Sequence, residues 1–206
     1  MPRCVESDFT HIYGLEHFVS EGIVFAAQYF GNPLHLDLDN YEYKLKKGSP
    51  QCSPTGPNSC TIYLNNEAYI WGQAGHEIAH VINPNLFDIY VEGYNSLFGQ
   101  ILSERFGQPF TVWEQYYQDN LFNAGTTDHF YSWTYFMMRA VDCLVTPQER
   151  AQFLRHTNGK RINITAWVSQ LKNKNPVAHI IRSFVDQPNS VYSMTTVSGY
   201  GLGILQ

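Results

Sequence analysis

Gly75-His76-Glu77-Ile78-Ala79-His80 is the segment that carries the strongest structural signal in this chain of 206 residues. Its last five residues form a His-Glu-x-x-His pattern, and residues four apart on an α-helix lie on the same face. His76 and His80 can therefore present both imidazoles to one metal ion, while Glu77 can reach a water molecule bound to that ion. The pattern predicts a Zn2+ centre at which a carboxylate accepts a proton from water.

The residues around the pattern favour a helix over about 68–83. Apolar side chains recur there at helical spacing, at Ile70, Ala74, Ile78 and Val81. The segment 61–65 precedes the helix and has the composition of a strand. Asn83-Pro84-Asn85 then ends the helix, because proline cannot continue it and restricts the residue before.

A catalytic zinc site needs a third protein ligand and one open position. A histidine six residues after His80 would give the metzincin pattern, but Leu86 stands there. If a second helix starts near Leu86 and runs antiparallel to the first, Glu92 returns to the level of the two histidines. Asp88 is nearer in sequence but lies closer to the turn. Glu92 is therefore the predicted third ligand, and Asp88 is the alternative.

The pattern followed by Glu92-Gly93 on a second helix resembles the gluzincin metallopeptidases, the thermolysin-like clan. The segment 92–98 is also similar, more weakly, to enhancin-like and mucin-degrading peptidases. The resemblance implies that His76, His80 and Glu92 bind zinc and that Glu77 is the general base. It further implies a small mixed sheet whose edge strand could bind an extended peptide beside the active-site helix. The spacer before Glu92 is shorter than in thermolysin, which keeps Asp88 open as a ligand.

A competing signal lies at 125–131, where Gly125-Thr126-Thr127-Asp128-His129-Phe130-Tyr131 resembles the Gly-Thr-x-Asp-x-x-Tyr segment of the aspzincins, the deuterolysin-like peptidases. That resemblance implies Asp128 as the third ligand and Tyr131 as a transition-state donor, although Ser132 replaces the final glycine. The alternative interpretation is a helix N-terminus capped by Thr127 or Asp128.

An oxyanion donor is expected near such a zinc centre, and a tyrosine hydroxyl can serve. Tyr131 matches best the tyrosine that gluzincins carry early in a later helix, so it is the predicted catalytic donor. His129 and Tyr94 are the alternatives.

The composition is that of a globular protein, with 44% hydrophobic residues and 14 Tyr, 13 Phe and 4 Trp available for a core. A net charge of −5, with no basic cluster beyond 44–47, argues against nucleic acid as a partner. No run of 18 apolar residues is present, so no membrane span is expected.

The predicted fold class is α+β, mainly helical, with a small mixed sheet packed on the active-site helix, as in zincins. We expect a single domain over 1–206, with the sheet and active-site helix at about 34–83, a helical lobe at about 86–185 and a tail at 187–206. A strand is predicted at 34–39 in addition to 61–65, with a loop or hairpin arm over 44–59. Further helices are predicted at 14–30, 86–106, 111–122, 127–144, 147–156, 163–172 and 176–185.

The four cysteines bear on the compartment. Cys52 and Cys60 bracket a turn-rich loop that a disulfide could close, while Cys4 and Cys143 could pair or stay as thiols. None of the four has metal-site spacing. With the glycosylation sequon at Asn163, these features favour a secreted protein, and we expect any signal peptide to lie upstream of the present start.

The predicted function is that of a zinc metallopeptidase acting on protein or peptide substrates through a zinc-bound water activated by Glu77. Two alternatives remain open. One is a zinc hydrolase or transferase that acts on something other than a peptide. The other is a catalytically inactive binding or effector module on the same fold.

Overall fold

The computed structural model describes residues 1–84, 86, 88–109, 111–121 and 126–186, with the backbone alone described at 111–113, 127 and 128. The fold is α+β and mainly helical, as predicted. The chain forms two compact units, one made of Met1–Pro84 with Phe98–Val112 and the other of Asn85–Leu97 with Trp113–Gln206. The predicted tail at 187–206 lies outside the described residues.

The first unit contains a four-stranded mixed sheet. Its strands are β1 (Arg3–Ser7), β2 (Glu42–Lys47), β3 (Gln51–Gly56) and β4 (Ser59–Leu64), in the spatial order β1-β2-β4-β3. Neighbours β1, β2 and β4 are parallel, while β3 pairs antiparallel with β4 and forms an edge. One face of the sheet is fully buried, as the zero exposure of Tyr43, Leu45, Ile62 and Leu64 shows.

Two helices of the first unit cover this sheet. Helix α1 (Leu15–Phe30) packs on α2 (Ile70–Ile82), and α2 packs in turn on β3 and β4. The predicted helices over 14–30 and 68–83 are confirmed. Gly31 ends α1 with φ 75°, a left-handed conformation that glycine adopts without a steric penalty.

Helix α3 (Ile89–Arg105) follows the turn after α2, and the division between the two units falls within it. It starts three residues later than the predicted 86. The reason is Asp88, whose side chain accepts hydrogen bonds from the amides of Tyr90 and Val91 and so fixes the start of the helix. The predicted end is confirmed, since Gly107 lies just beyond α3 with φ 63°.

The second unit is helical apart from one short hairpin. Its later helices are α4 (Thr111–Asn120), α5 (Thr127–Asp142), α6 (Pro147–Gln152), α7 (Ile164–Ser169) and α8 (Lys174–Val185). The predicted helix over 147–156 is α6 followed by a tighter turn at Phe153–Arg155. The hairpin of β5 (Thr157–Asn158) and β6 (Arg161–Ile162) was not predicted.

The predicted strand at 34–39 is wrong, because the chain turns there. Asn32 and His35 have positive φ values of 41° and 53°, which no extended strand tolerates. The Asn32 side chain also bonds both backbone groups of Leu36. A strand lies instead at β2, most of which falls within the segment 44–59 that was predicted as a loop or hairpin arm.

Among the described residues, none of the helices is both long enough and apolar enough to traverse a bilayer.

Candidate metal centre

Among the described residues, His76, His80 and Glu92 form one cluster of possible metal ligands. One possible ligand atom from each residue lies within 4.8 Å of the other two, and this group could hold a metal ion. The two histidine rings are 5.1 Å apart between centroids, with their planes at 61°. The structure therefore brings together the three residues that the sequence analysis selected as ligands.

The three side chains are almost withdrawn from solvent. His76 is 7% exposed, His80 9% and Glu92 3%. A carboxylate buried as deeply as that of Glu92 loses its hydration, and an uncharged protein interior cannot replace it. The desolvation of such an unpaired charge costs several kcal/mol, and a bound cation would compensate this cost. Two imidazoles and one carboxylate are also the donor set that zinc accepts while keeping a position open. The residues present thus fit the ion that the pattern implies.

Close contact between two glycines lets α3 approach α2. A Cβ atom on Gly75 would lie 2.6 Å from the Cα of Gly99, and one on Gly99 would lie 3.2 Å from the backbone nitrogen of His76. Glu92 precedes Gly99 by seven residues, or about two helical turns, so both face the same side of α3. The absence of side chains at this crossing is therefore what allows the carboxylate to come near the histidines.

Gln73 fixes the start of helix α2 to the end of β4. Its Oε1 accepts from the amides of Asn65 at 3.3 Å and Asn66 at 3.4 Å, and its Nε2 donates to Asn65 Oδ1 at 2.9 Å. Gln73 lies one turn before His76 on α2 and is 8% exposed. This amide therefore limits rotation of the segment that carries the histidines.

Asp88, the alternative third ligand, has both oxygens engaged elsewhere. Its Oδ1 accepts from the amides of Tyr90 at 3.0 Å and Val91 at 2.9 Å, and its Oδ2 accepts from the amide of Ile162 at 2.6 Å. Burial raises the pKa of Asp88 to about 6, against the lowering effect of these three donors. Asp88 thus holds the start of α3 to β6, a structural role that the sequence analysis missed.

Glu77, the predicted base, lies on α2 beside the histidines and is 6% exposed. Helix α2 packs on β3, the strand that carries Cys52. The pKa of the Cys52 thiol is raised by the neighbouring Cys60 thiol, by burial and by the negative charge of Glu77. The Glu77 carboxylate is therefore close enough to the edge strand to act electrostatically on it.

The segment with aspzincin resemblance forms a helix start. Thr126 caps α5, since its hydroxyl accepts from the amide of His129 at 3.0 Å. The prediction that Thr127 or Asp128 is the cap is therefore wrong by one or two residues. Gly125 and the Asp128 side chain lie outside the described residues.

The three candidate donors lie in the second unit. Tyr131 is half-buried on α5, with its ring 5.3 Å from that of Phe130. Tyr94 is fully buried, with its ring 4.7 Å from Phe153 and 6.2 Å from Trp167, as expected of a core residue. The catalytic role of Tyr131 stays a prediction.

The cysteines are free thiols in this structure. The predicted Cys52–Cys60 disulfide is not formed, although the two thiols lie near each other on the paired strands β3 and β4. Cys4 and Cys143 instead donate to the backbone oxygens of Glu6 and Arg139.

Comparisons with protein-family models, with curated proteins and with solved structures give no match for this chain, so its activity is argued from the site alone.

Proposed function

We propose that this protein is a zinc-dependent peptidase in which His76, His80 and Glu92 hold the ion and Glu77 is the general base. The observation that carries the proposal is the convergence of two imidazoles and one buried carboxylate within 4.8 Å, with a second carboxylate adjoining them on α2. Zinc, when bound by such a set, supplies a Lewis acid that lowers the pKa of water and polarises a carbonyl group.

The protein groups have distinct tasks in this scheme. Glu77 accepts a proton from the attacking water and later passes it to the leaving amine, so the leaving group receives the proton that was removed from water. Its burial raises the cost of carrying charge, which favours this transfer. Tyr131 is the proposed donor to the developing oxyanion.

The edge strand supports a peptide as the substrate. β3 pairs on one side with β4 and packs on α2, the helix that carries Glu77. An extended peptide can add to an exposed sheet edge through backbone hydrogen bonds, without regard to most of its side chains. A peptide bound there would run past the helix that bears the base.

The test compares wild-type protein with Glu77→Gln and with a matched surface variant, Glu16→Gln on α1, over a library of quenched fluorescent peptides. We expect Glu77→Gln to retain zinc stoichiometrically, measured by mass spectrometry of the metal, and to lose turnover by about 10²–10⁴-fold. Glu16→Gln should equal the wild type.

Three results would contradict the proposal in different ways. Equal turnover by Glu77→Gln would remove Glu77 as the base. Zinc binding by a wild type that cleaves no peptide would favour a hydrolase of another substrate class. No retained zinc after gentle purification would favour a binding or effector module.

A further inference from the structure

Cys52 and Cys60 form a thiol pair that the proposed peptidase chemistry does not use. Cys60 lies on β4 and is 2% exposed, while Cys52 lies on the edge strand β3 and is partly exposed. Both point to the face of the sheet that α2 covers, because Cys60 shares its face with buried Ile62 and Ile62 is the cross-strand partner of Cys52.

The pairing register explains why the thiols meet without being bonded. Cys52 pairs with Ile62, and Cys60 pairs with Pro54, so the two cysteines are diagonal neighbours. Diagonal residues across antiparallel strands have Cα atoms about 7–8 Å apart, whereas a disulfide needs about 4.4–6.8 Å. The bond can close only if β3 moves along or toward β4 by about 1 Å.

Local backbone geometry permits such a movement. The β3–β4 register shifts between Pro54 and Gly56, which marks a bulge, and β3 has a neighbour on one side only. An irregular edge strand of this kind can adjust its pairing more easily than a central strand.

A third side chain, that of Tyr41, also acts on the pair. The neighbouring Cys52 thiol lowers the pKa of Cys60 most, burial opposes this change, and the Tyr41 hydroxyl lowers the pKa further. Cys60 is therefore the thiol of the pair that ionises first, and a thiolate is the form that attacks disulfides.

We propose that Cys52 and Cys60 are a reversible redox pair, which a small disulfide such as oxidised glutathione converts into an intramolecular disulfide with a shift of the edge strand β3. This inference does not depend on the proposed peptidase function.

The reaction balances as two thiol–disulfide exchanges. Cys52 is the thiol of the pair that solvent reaches, and its raised pKa makes its attack the slow step. It gives its proton to the buffer and attacks one sulfur of oxidised glutathione, which breaks the S–S bond and releases one reduced glutathione. The Cys60 thiolate then attacks the Cys52 sulfur of this mixed disulfide and releases the second reduced glutathione. The protein loses two hydrogens and two electrons, and the oxidant gains both.

The experiment incubates the full-length protein in buffers of graded reduced-to-oxidised glutathione ratio, followed by acid quenching, alkylation and peptide mass mapping. We expect the Cys52–Cys60 disulfide to appear and disappear reversibly with the ratio. The exposed Cys143 is the internal control and should form only mixed disulfides with glutathione. If Cys52 and Cys60 stayed as thiols, or carried glutathione to the same extent as Cys143, the proposal would be overturned.

Two variants address the mechanism. Cys60→Ser should stop at the mixed disulfide on Cys52. Tyr41→Phe removes the hydroxyl that helps to lower the pKa of Cys60, so this pKa should rise and ring closure should be slower at neutral pH, because the thiolate fraction falls more than its nucleophilicity rises. An unchanged rate would remove Tyr41 from the pair.

Hydrogen exchange tests the predicted strand shift on the same samples. In the oxidised protein, amides of β3 and β4 should exchange at altered rates, while those of the β1–β2 pair should not change. A disulfide that formed with no effect on β3 or β4 would contradict the conformational part of the proposal.

Discussion

The Cα of Gly99 lies so close to Gly75 that a methyl group on Gly75 would be 2.6 Å from it. The obstructing atoms belong to the backbone of α3, which cannot rotate away as a side chain can. The distance between the two helices is thus set by the absence of two side chains, and this crossing is the point from which Glu92 reaches back toward His76 and His80.

Gly75→Ala should separate α2 from α3 and destabilise the fold by about 1–3 kcal/mol, as overpacking does. It should also weaken zinc binding, because Glu92 moves with α3. Gly22→Ala is the matched control, since its Cβ would meet the methyl groups of the Leu102 and Ile78 side chains and not backbone. Chemical denaturation and zinc titration measure both effects. Equal behaviour of the two variants would show that the glycine contact does not set the helix spacing.

Gln73→Leu should lower the free energy of unfolding by about 1–3 kcal/mol, because the amides of Asn65 and Asn66 lose their acceptor. Gln115→Leu is the control, since Gln115 is exposed and its side-chain amide donates to the exposed Asp119. That surface change should stay within about 0.5 kcal/mol. Urea unfolding of both variants is the measurement, and a loss in Gln115→Leu as large as in Gln73→Leu would contradict the anchoring role.

Asp88 should make the folded state less stable as pH rises from about 4 to about 6. Burial raises its folded pKa to about 6 from an ordinary value of 3.8, so the folded state holds this proton more tightly than the unfolded chain. Protonation of Asp88 therefore contributes fully to the free energy of unfolding at a pH below the unfolded-state pKa. This contribution, up to about 3 kcal/mol, is lost as the pH rises through the folded-state pKa.

The measurement is the difference in unfolding free energy between wild type and Asp88→Asn against pH, in chelator. The difference between wild type and Asp88→Asn should fall as the pH rises from about 4 to about 6. For Asp37→Asn it should rise as pH increases through the acidic range, because a hydrogen bond from Asn40 lowers the pKa of Asp37. A flat difference for Asp88 would show that its protonation is not linked to folding.

Zinc should stabilise the protein against heat, and a chelator should remove that gain. With free zinc about 100-fold above the dissociation constant, the stabilisation is about 2.7 kcal/mol. His80→Ala should abolish the response, whereas the exposed His179→Ala should keep it. Scanning calorimetry with and without chelator provides the readout. A response that survived in His80→Ala would place the stabilising zinc at other residues.

Tyr131→Phe should reduce peptide turnover about 10²–10³-fold, as the loss of one oxyanion donor does, with little change in KM or in unfolding free energy. Tyr13→Phe is the control, since Tyr13 is 99% exposed. The measurement is kcat and KM on the peptide of the library that is cleaved fastest. Full turnover by Tyr131→Phe would show that another group is the oxyanion donor.

The residues of the candidate metal centre were predictable because they obey local rules. Two histidines one turn apart share a helix face whatever surrounds them. Glu92 required one long-range assumption, an antiparallel second helix after a short turn, and the structure places it in the same group as the histidines. The role of Asp88 was not predictable, because its third donor is the amide of Ile162, which is 74 residues away in the chain.

The missed strand shows the limit of alternation as a signal. Leu34, Leu36 and Leu38 alternate with polar residues as a strand would, yet Leu34 is 49% exposed. The residues of β2 alternate as well, with Tyr43 and Leu45 between charged neighbours. The parallel pairing of β2 with β1 and β4 is what makes that segment a strand, and such pairing depends on residues distant in sequence.

Pro54 in the edge strand has a consequence for how the sheet meets other chains. Proline lacks a backbone N–H, and in an edge strand its nitrogen faces away from the neighbouring strand. The unpaired edge of β3 therefore offers an interrupted row of backbone N–H donors, which disfavours edge-to-edge pairing of sheets from different molecules. A strand added from another chain could therefore pair with the residues of β3 on one side of Pro54 only.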